Sequence, residues 1–166
     1  MLFRLNLPLI SDKMLKILIR RFLRAIPLLL LTFSCIMIYT GSPYLMDPIL
    51  EGSELPVGTI VAWIGIAMLP LSILLGIRII RKPISVAYRF YNRAFRVLFL
   101  LSMIWGAVSY LLAGNWAYTF SIGDVFRGSE GAFSMFIYYT AILISASLLL
   151  FVVFLIHHLI LQNTKQ

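Results

Sequence analysis

Acidic residues are scarce in this chain: six Asp and Glu stand against fourteen Lys and Arg among 166 residues. Charge of either sign makes up 12% of the composition, about half the share usual in a soluble domain. Four long stretches carry none at all: 25–45, 57–77, 97–116 and 133–156. With 61% hydrophobic residues, the chain has too little polar side-chain surface to cover an apolar interior in water. An ordinary soluble domain is excluded, and a bilayer is the solvent that suits it. Cysteine is nearly missing too. Cys35 stands alone, so neither an internal disulfide nor a Cys-x-x-Cys redox pair exists, and it reads as a small buried hydrophobe.

Catalytic signatures are also missing. The sequence holds no Gly-x-Ser-x-Gly, His-Glu-x-x-His or Walker pattern and no Asp-rich phosphate motif. No ionisable side chain sits inside an apolar stretch to serve proton coupling, ion passage or an intramembrane protease. His157 and His158 are adjacent, so on one helix they point about 100° apart and cannot clasp a haem together. No thiol or carboxylate near them completes a zinc site. They read as interfacial histidines. The expectation is a protein that is not an enzyme, with no catalytic residue, cofactor or metal.

What is present is a charge layout. Arg4, Lys13, Lys16, Arg20, Arg21 and Arg24 form one basic block, and Arg78, Arg81, Lys82, Arg89, Arg93 and Arg96 form a second. Asp47, Glu51 and Glu54 fall between the blocks with no cation beside them. Basic residues gather on the cytoplasmic side of membrane spans, and about 20 helical residues cross the hydrocarbon core. Backbone in lipid has no outside hydrogen-bond partner, so each apolar stretch must be helical. The expected fold is all-α: one membrane domain over 1–166, an antiparallel bundle of four transmembrane helices at 25–45, 57–77, 97–116 and 133–156, with both termini cytoplasmic. The long basic region before the first apolar stretch does not read as a cleavable signal peptide. The net charge of +8 follows from this layout and does not call for nucleic acid.

Ser11 and Asp12 can cap a helix. Lys13, Lys16, Arg20 and Arg24 then recur at helical spacing as one basic stripe. This predicts an amphipathic interfacial helix over 11–24 among anionic head groups, with a bend at Pro27, which cannot donate to the carbonyl of Leu23. Arg89, Arg93 and Arg96 repeat the pattern, and Tyr88, Phe90, Tyr91 and Phe95 between them read as interfacial anchors. Trp116, Tyr118 and Phe120 form a partial aromatic belt at the other interface.

Small residues recur through the apolar stretches. Gly58, Ala62, Gly65, Ser72 and Gly76 lie in the second, and Ser102, Gly106, Ser109 and Ala113 in the third. Their alternating spacings of about four and three mark the seam of a left-handed bundle. Lipid supplies no hydrophobic drive between helices, so close backbone approach must hold them together. Serine hydroxyls reaching across the seam would add to this. Pro70 frees the carbonyl of Ile66.

In size, four-span layout and basic loops, the chain is similar to small bacterial inner-membrane proteins such as the immunity proteins that guard against pore-forming bacteriocins. The likeness is one of layout and carries no residue roles. The expected function is non-catalytic: an inner-membrane protein acting through contacts with another membrane protein or a membrane-inserting toxin, as an accessory or immunity factor. Its expected surroundings are the lipid bilayer and a protein partner, with a homo-oligomer among the assemblies open to it. Two alternatives stand beside this reading. One is a small transporter or channel component using the serines and Pro70. The other is an anchor subunit of a respiratory or secretory complex.

Overall fold

The computed structural model describes residues 12–80, 86–117, 120 and 126–163, with only the backbone for 12, 13 and 15–21. Within them lie five α-helices: α1 (Asp12–Thr40), α2 (Val57–Ile80), α3 (Val86–Met103), α4 (Trp105–Ala113) and α5 (Glu130–Asn163). A short 3-10 turn covers Pro43–Met46. The one β pairing among the described residues is an isolated bridge between Pro48 and Pro56. Three helices are long and apolar enough to cross a membrane: Phe22–Thr40 within α1, then α2, then α5. Helices α3 and α4 meet at a 41° bend and make a fourth span if the bent pair is one.

The first helix differs from expectation at both ends. The interfacial segment and the first span are one helix of 29 residues with Pro27 inside it. Ser11, the expected cap, lies outside the described residues. The helix stops at Thr40 rather than Leu45 because Gly41 adopts φ +59, a left-handed conformation that glycine takes without a side-chain clash. The Gly41 amide donates to Ile38 O and the Ser42 amide to Met37 O, the paired bonds of a Schellman cap. Pro43 follows and cannot continue the helix. The connector after it is ordered: the Ile49 amide donates to Leu55 O and the Val57 amide to Asp47 O, around a turn with Gly52 at φ +81.

Helix α2 is the hub. It packs against α1, α3, α4 and α5, whereas among the described residues α1 makes substantial contact with α2 alone. A closed four-helix bundle would give every helix two neighbours, so α1 is an outer rod on a core built by α2, α3, α4 and α5. Two side-chain clusters form that core. Leu74, Ile77, Tyr88, Tyr91, Phe95 and Phe154 join α2, α3 and α5 near the arginine-rich end. Trp105, Phe136 and Leu143 join α4 and α5 farther along.

Outside the core the helices are apolar and uncovered. Leu29, Phe33 and Ile36 on α1 and Leu149, Val152, Val153 and Ile156 on α5 are exposed. Such surface is far larger than a soluble monomer leaves open and matches a hydrocarbon solvent. Cys35, expected in the interior, is exposed as well.

Candidate functional site

The break between α3 and α4 is the least regular feature of the helical core. Helical bonding lapses at Ile104, which has φ −89 and ψ −2. The last carbonyls of a helix have no partner within it, and in lipid each unsatisfied one costs several kcal/mol. Here neighbouring helices supply the donors. The Trp63 indole on α2 donates to Ser102 O at 3.2 Å and Met103 O at 3.0 Å. The Tyr139 hydroxyl on α5 donates to Leu101 O at 2.7 Å. The last carbonyls of α3, from Leu101 to Met103, are thereby capped from both sides. Trp105 begins α4, is 4% exposed and donates from its indole to Thr140 Oγ1 at 2.8 Å.

Glycine makes this arrangement possible. At Gly106 an added methyl would overlap the six-membered ring of Trp63. The indole lies flat on bare backbone, close enough for its N–H to reach the freed carbonyls. The bond needs both a large donor on α2 and no side chain on α4.

The other small residues of the seam are placed along the same helix contacts. Gly58 is buried, with a prospective methyl overlapping Phe120 and standing 2.7 Å from Leu45 O. Gly65 faces Ser34 of α1, whose Cβ would be 3.0 Å from such a methyl. Ala62 packs on the Trp105 cluster. Ser102, Ser109 and Ala113 are buried at 0%, 1% and 0% exposure. Gly76 is the exception, with open space where a side chain would begin.

The serines correct the expectation of cross-seam bonding. Ser102 donates to Leu98 O, Ser109 to Trp105 O and Ser147 to Leu143 O, each four residues back on its own helix. Thr140 does the same with Phe136 O. Bonds between elements come instead from Thr59 Oγ1 on α2, which donates to Trp116 O beyond the end of α4 at 2.7 Å, from the aromatic donors around the break, and from side chains at the arginine-rich end. Two hydroxyls differ: Ser34 Oγ and Ser72 Oγ are buried without a hydrogen-bond partner, and both lie where α1 meets α2.

At the arginine-rich end three of the four aromatics expected as interfacial anchors are core residues instead. Tyr88, Tyr91 and Phe95 are buried at 2%, 6% and 0% exposure, and of the four only Phe90 faces outward. Nor do both histidines sit apart from the protein. The Tyr88 hydroxyl and His158 Nδ1 are 2.7 Å apart, and His157 packs edgewise against the Tyr88 ring and at a tilt against the Tyr91 ring. Arg78 Nε donates to Asn92 Oδ1 at 2.9 Å, which pins the end of α2 to α3. Arg24, Arg89, Arg93 and Arg96 are exposed, while the side chains of Lys13, Lys16 and Arg20 lie outside the described residues.

At the opposite end a cavity of about 300 Å³ is lined by residues including Glu54, Asn115 and Arg127. Trp116 stacks on Tyr110 with ring centroids 4.4 Å apart, Phe120 rests over Gly58, and Tyr118 is outside the described residues.

Among the described residues no three His, Cys, Asp or Glu side chains gather to hold a metal ion. The polar groups brought together at the break are donors matched to acceptors, an arrangement that holds shape. Sequence reasoning missed it because Trp63, Tyr139 and the Leu101–Met103 carbonyls sit on three elements, and only Gly106 left a mark in the pattern. Comparison with protein-family models, curated proteins and solved structures finds no match to this chain.

Proposed function

We propose that this is a non-catalytic, four-span protein of the bacterial inner membrane that works by contact with another membrane protein or a membrane-inserting toxin. Both termini and the second basic block face the cytoplasm in this reading, with α3 and α4 as one bent span. The observation that carries it is where the polar groups go. The hydroxyls of Ser102, Ser109, Thr140 and Ser147 close on their own helices, and the freed carbonyls of the break are taken by Trp63 and Tyr139. These groups are committed to structure, which leaves surface as the means of action. Helix α1, attached mainly through α2, offers the widest uncovered face.

Affinity purification of the full chain in mild detergent tests the reading. A membrane-protein partner that co-purifies in stoichiometric amount supports it. Purification of the chain alone, together with no protection of expressing cells against any pore-former tried, would count against it. Reporter fusions after Glu51 and Arg89 test the topology and should report from opposite sides.

The 41° interruption between α3 and α4 favours a second reading, since discontinuous helices occur at transport sites. A small transporter predicts solute flux in reconstituted vesicles that changes with Pro70→Ala. Flux equal to that of empty vesicles would remove it.

A further inference from the structure

Helices α1 and α2 leave a cleft near the arginine-rich end. The cleft between them has a volume of about 660 Å³ and is lined by Arg24, Ala25 and Leu28 of α1 with Ser72, Gly76 and Ile79 of α2. We propose that this cleft is a specific site for one anionic phospholipid, with the lipid phosphate on Arg24 and the start of an acyl chain over Gly76. The site rests on the membrane-spanning nature of α1 and α2 and not on the identity of any protein partner.

Four features converge there. Arg24 is exposed, and no ion pair engages it among the described residues. A guanidinium presents a fork of donors that matches phosphate oxygens. Ser72 lines the same cleft, and its buried hydroxyl oxygen has no hydrogen-bond partner. Ser72 sits one turn deeper than Gly76 with its hydroxyl oxygen covered, so it forms the floor of the cleft and not a head-group contact. Gly76 leaves open space where any other residue would place a side chain. Ala25, Leu28 and Ile79 make the remaining wall apolar, as acyl methylenes require.

The position also suits such a ligand. Arg24 stands near the start of the apolar part of α1, which begins at Phe22, and Ile79 near the end of α2. The two meet at head-group depth. A basic pocket between membrane helices at that level is the recognised setting for anionic head groups. A zwitterionic lipid brings a second, positive group to the same guanidinium and gains less. A volume near 660 Å³ is roughly twenty times the share of one water, enough for a head group and the first methylenes.

The test is native mass spectrometry of the full chain in mild detergent with phosphatidylglycerol or phosphatidylcholine of identical acyl chains. The expected result is one retained phosphatidylglycerol, favoured over phosphatidylcholine roughly tenfold or more, the size of one charge-assisted hydrogen bond. Arg24→Gln should remove most of that preference. Gly76→Leu should lower retention of both lipids by filling the cleft. Arg127→Gln, which removes the same charge at the other end, should change nothing. Millimolar inorganic phosphate should not displace the bound lipid. Equal retention of the two lipids overturns the proposal, as does a preference for phosphatidylglycerol indifferent to Arg24→Gln. A change of oligomeric state with Gly76→Leu while lipid stays bound also overturns it, because the cleft would then seat a helix.

Discussion

Replacing Gly106 by alanine puts the stacked indole at the break under direct test. The new methyl would overlap three ring atoms of Trp63, and the ring cannot slide away freely because its N–H is bonded to Ser102 O and Met103 O. Overpacking of this kind costs about 1–3 kcal/mol. Bonds lost when the indole moves add roughly 0.6 kcal/mol each, the average for membrane helices. Alanine's better helix propensity returns about 1 kcal/mol. The clash and the broken bonds together exceed the propensity gain, for a net loss near 2 kcal/mol. The assay is reversible unfolding in mixed micelles, run on Gly106→Ala, Trp63→Leu and the double variant. Trp63→Leu should also be destabilising, since it leaves two carbonyls without their donor. The double variant should cost less than the two singles together, by about 1 kcal/mol or more, because the methyl then meets empty space. Strict additivity, or a Gly106→Ala variant as stable as the parent, would show that the indole does not lie on this glycine.

Gly58→Ala and Gly76→Ala should part company although both belong to one small-residue stripe. The first drives a methyl toward Phe120 and the backbone oxygen of Leu45 and should cost about 2 kcal/mol. The second meets open space and should be neutral or stabilising by up to about 1 kcal/mol in the same unfolding assay. Tyr139→Phe removes the donor to Leu101 O and should cost about 1–2 kcal/mol, with amide exchange of residues after the break accelerating as that turn loosens. Tyr88→Phe breaks the contact with His158 while keeping the ring edge on Phe154. It should lower stability by about 1 kcal/mol, and the His158 imidazole resonances should shift. Unmoved resonances would place that imidazole away from the tyrosine.

Much of this architecture is legible in the order of residues, for reasons that lie in the solvent. An uncharged stretch of about twenty residues has one option in hydrocarbon, because a backbone that cannot bond to water must bond to itself. Hence the helical character of 25–40, 57–77 and 133–156 needs no knowledge of their neighbours, and neither does the exclusion of arginines to the ends. Glycine and alanine at helical spacing likewise announce that helices approach closely. They do not say which partner arrives. Gly65 meets Ser34, Gly106 meets Trp63, Gly58 meets Phe120, and Gly76 meets nothing, yet all four look alike along the chain. The interruption at Ile104 is invisible for a related reason. No proline causes it, and it persists because donors more than thirty residues away in sequence satisfy the freed carbonyls. The same holds for Tyr88, Tyr91 and Phe95, which read as surface anchors between arginines until α2 and α5 close over them. Local chemistry dictates what every segment must do to survive in lipid. The pairing of particular glycines, rings and carbonyls emerges when α2 settles among α1, α3, α4 and α5, since packing in hydrocarbon depends on which surfaces fit rather than on which are apolar.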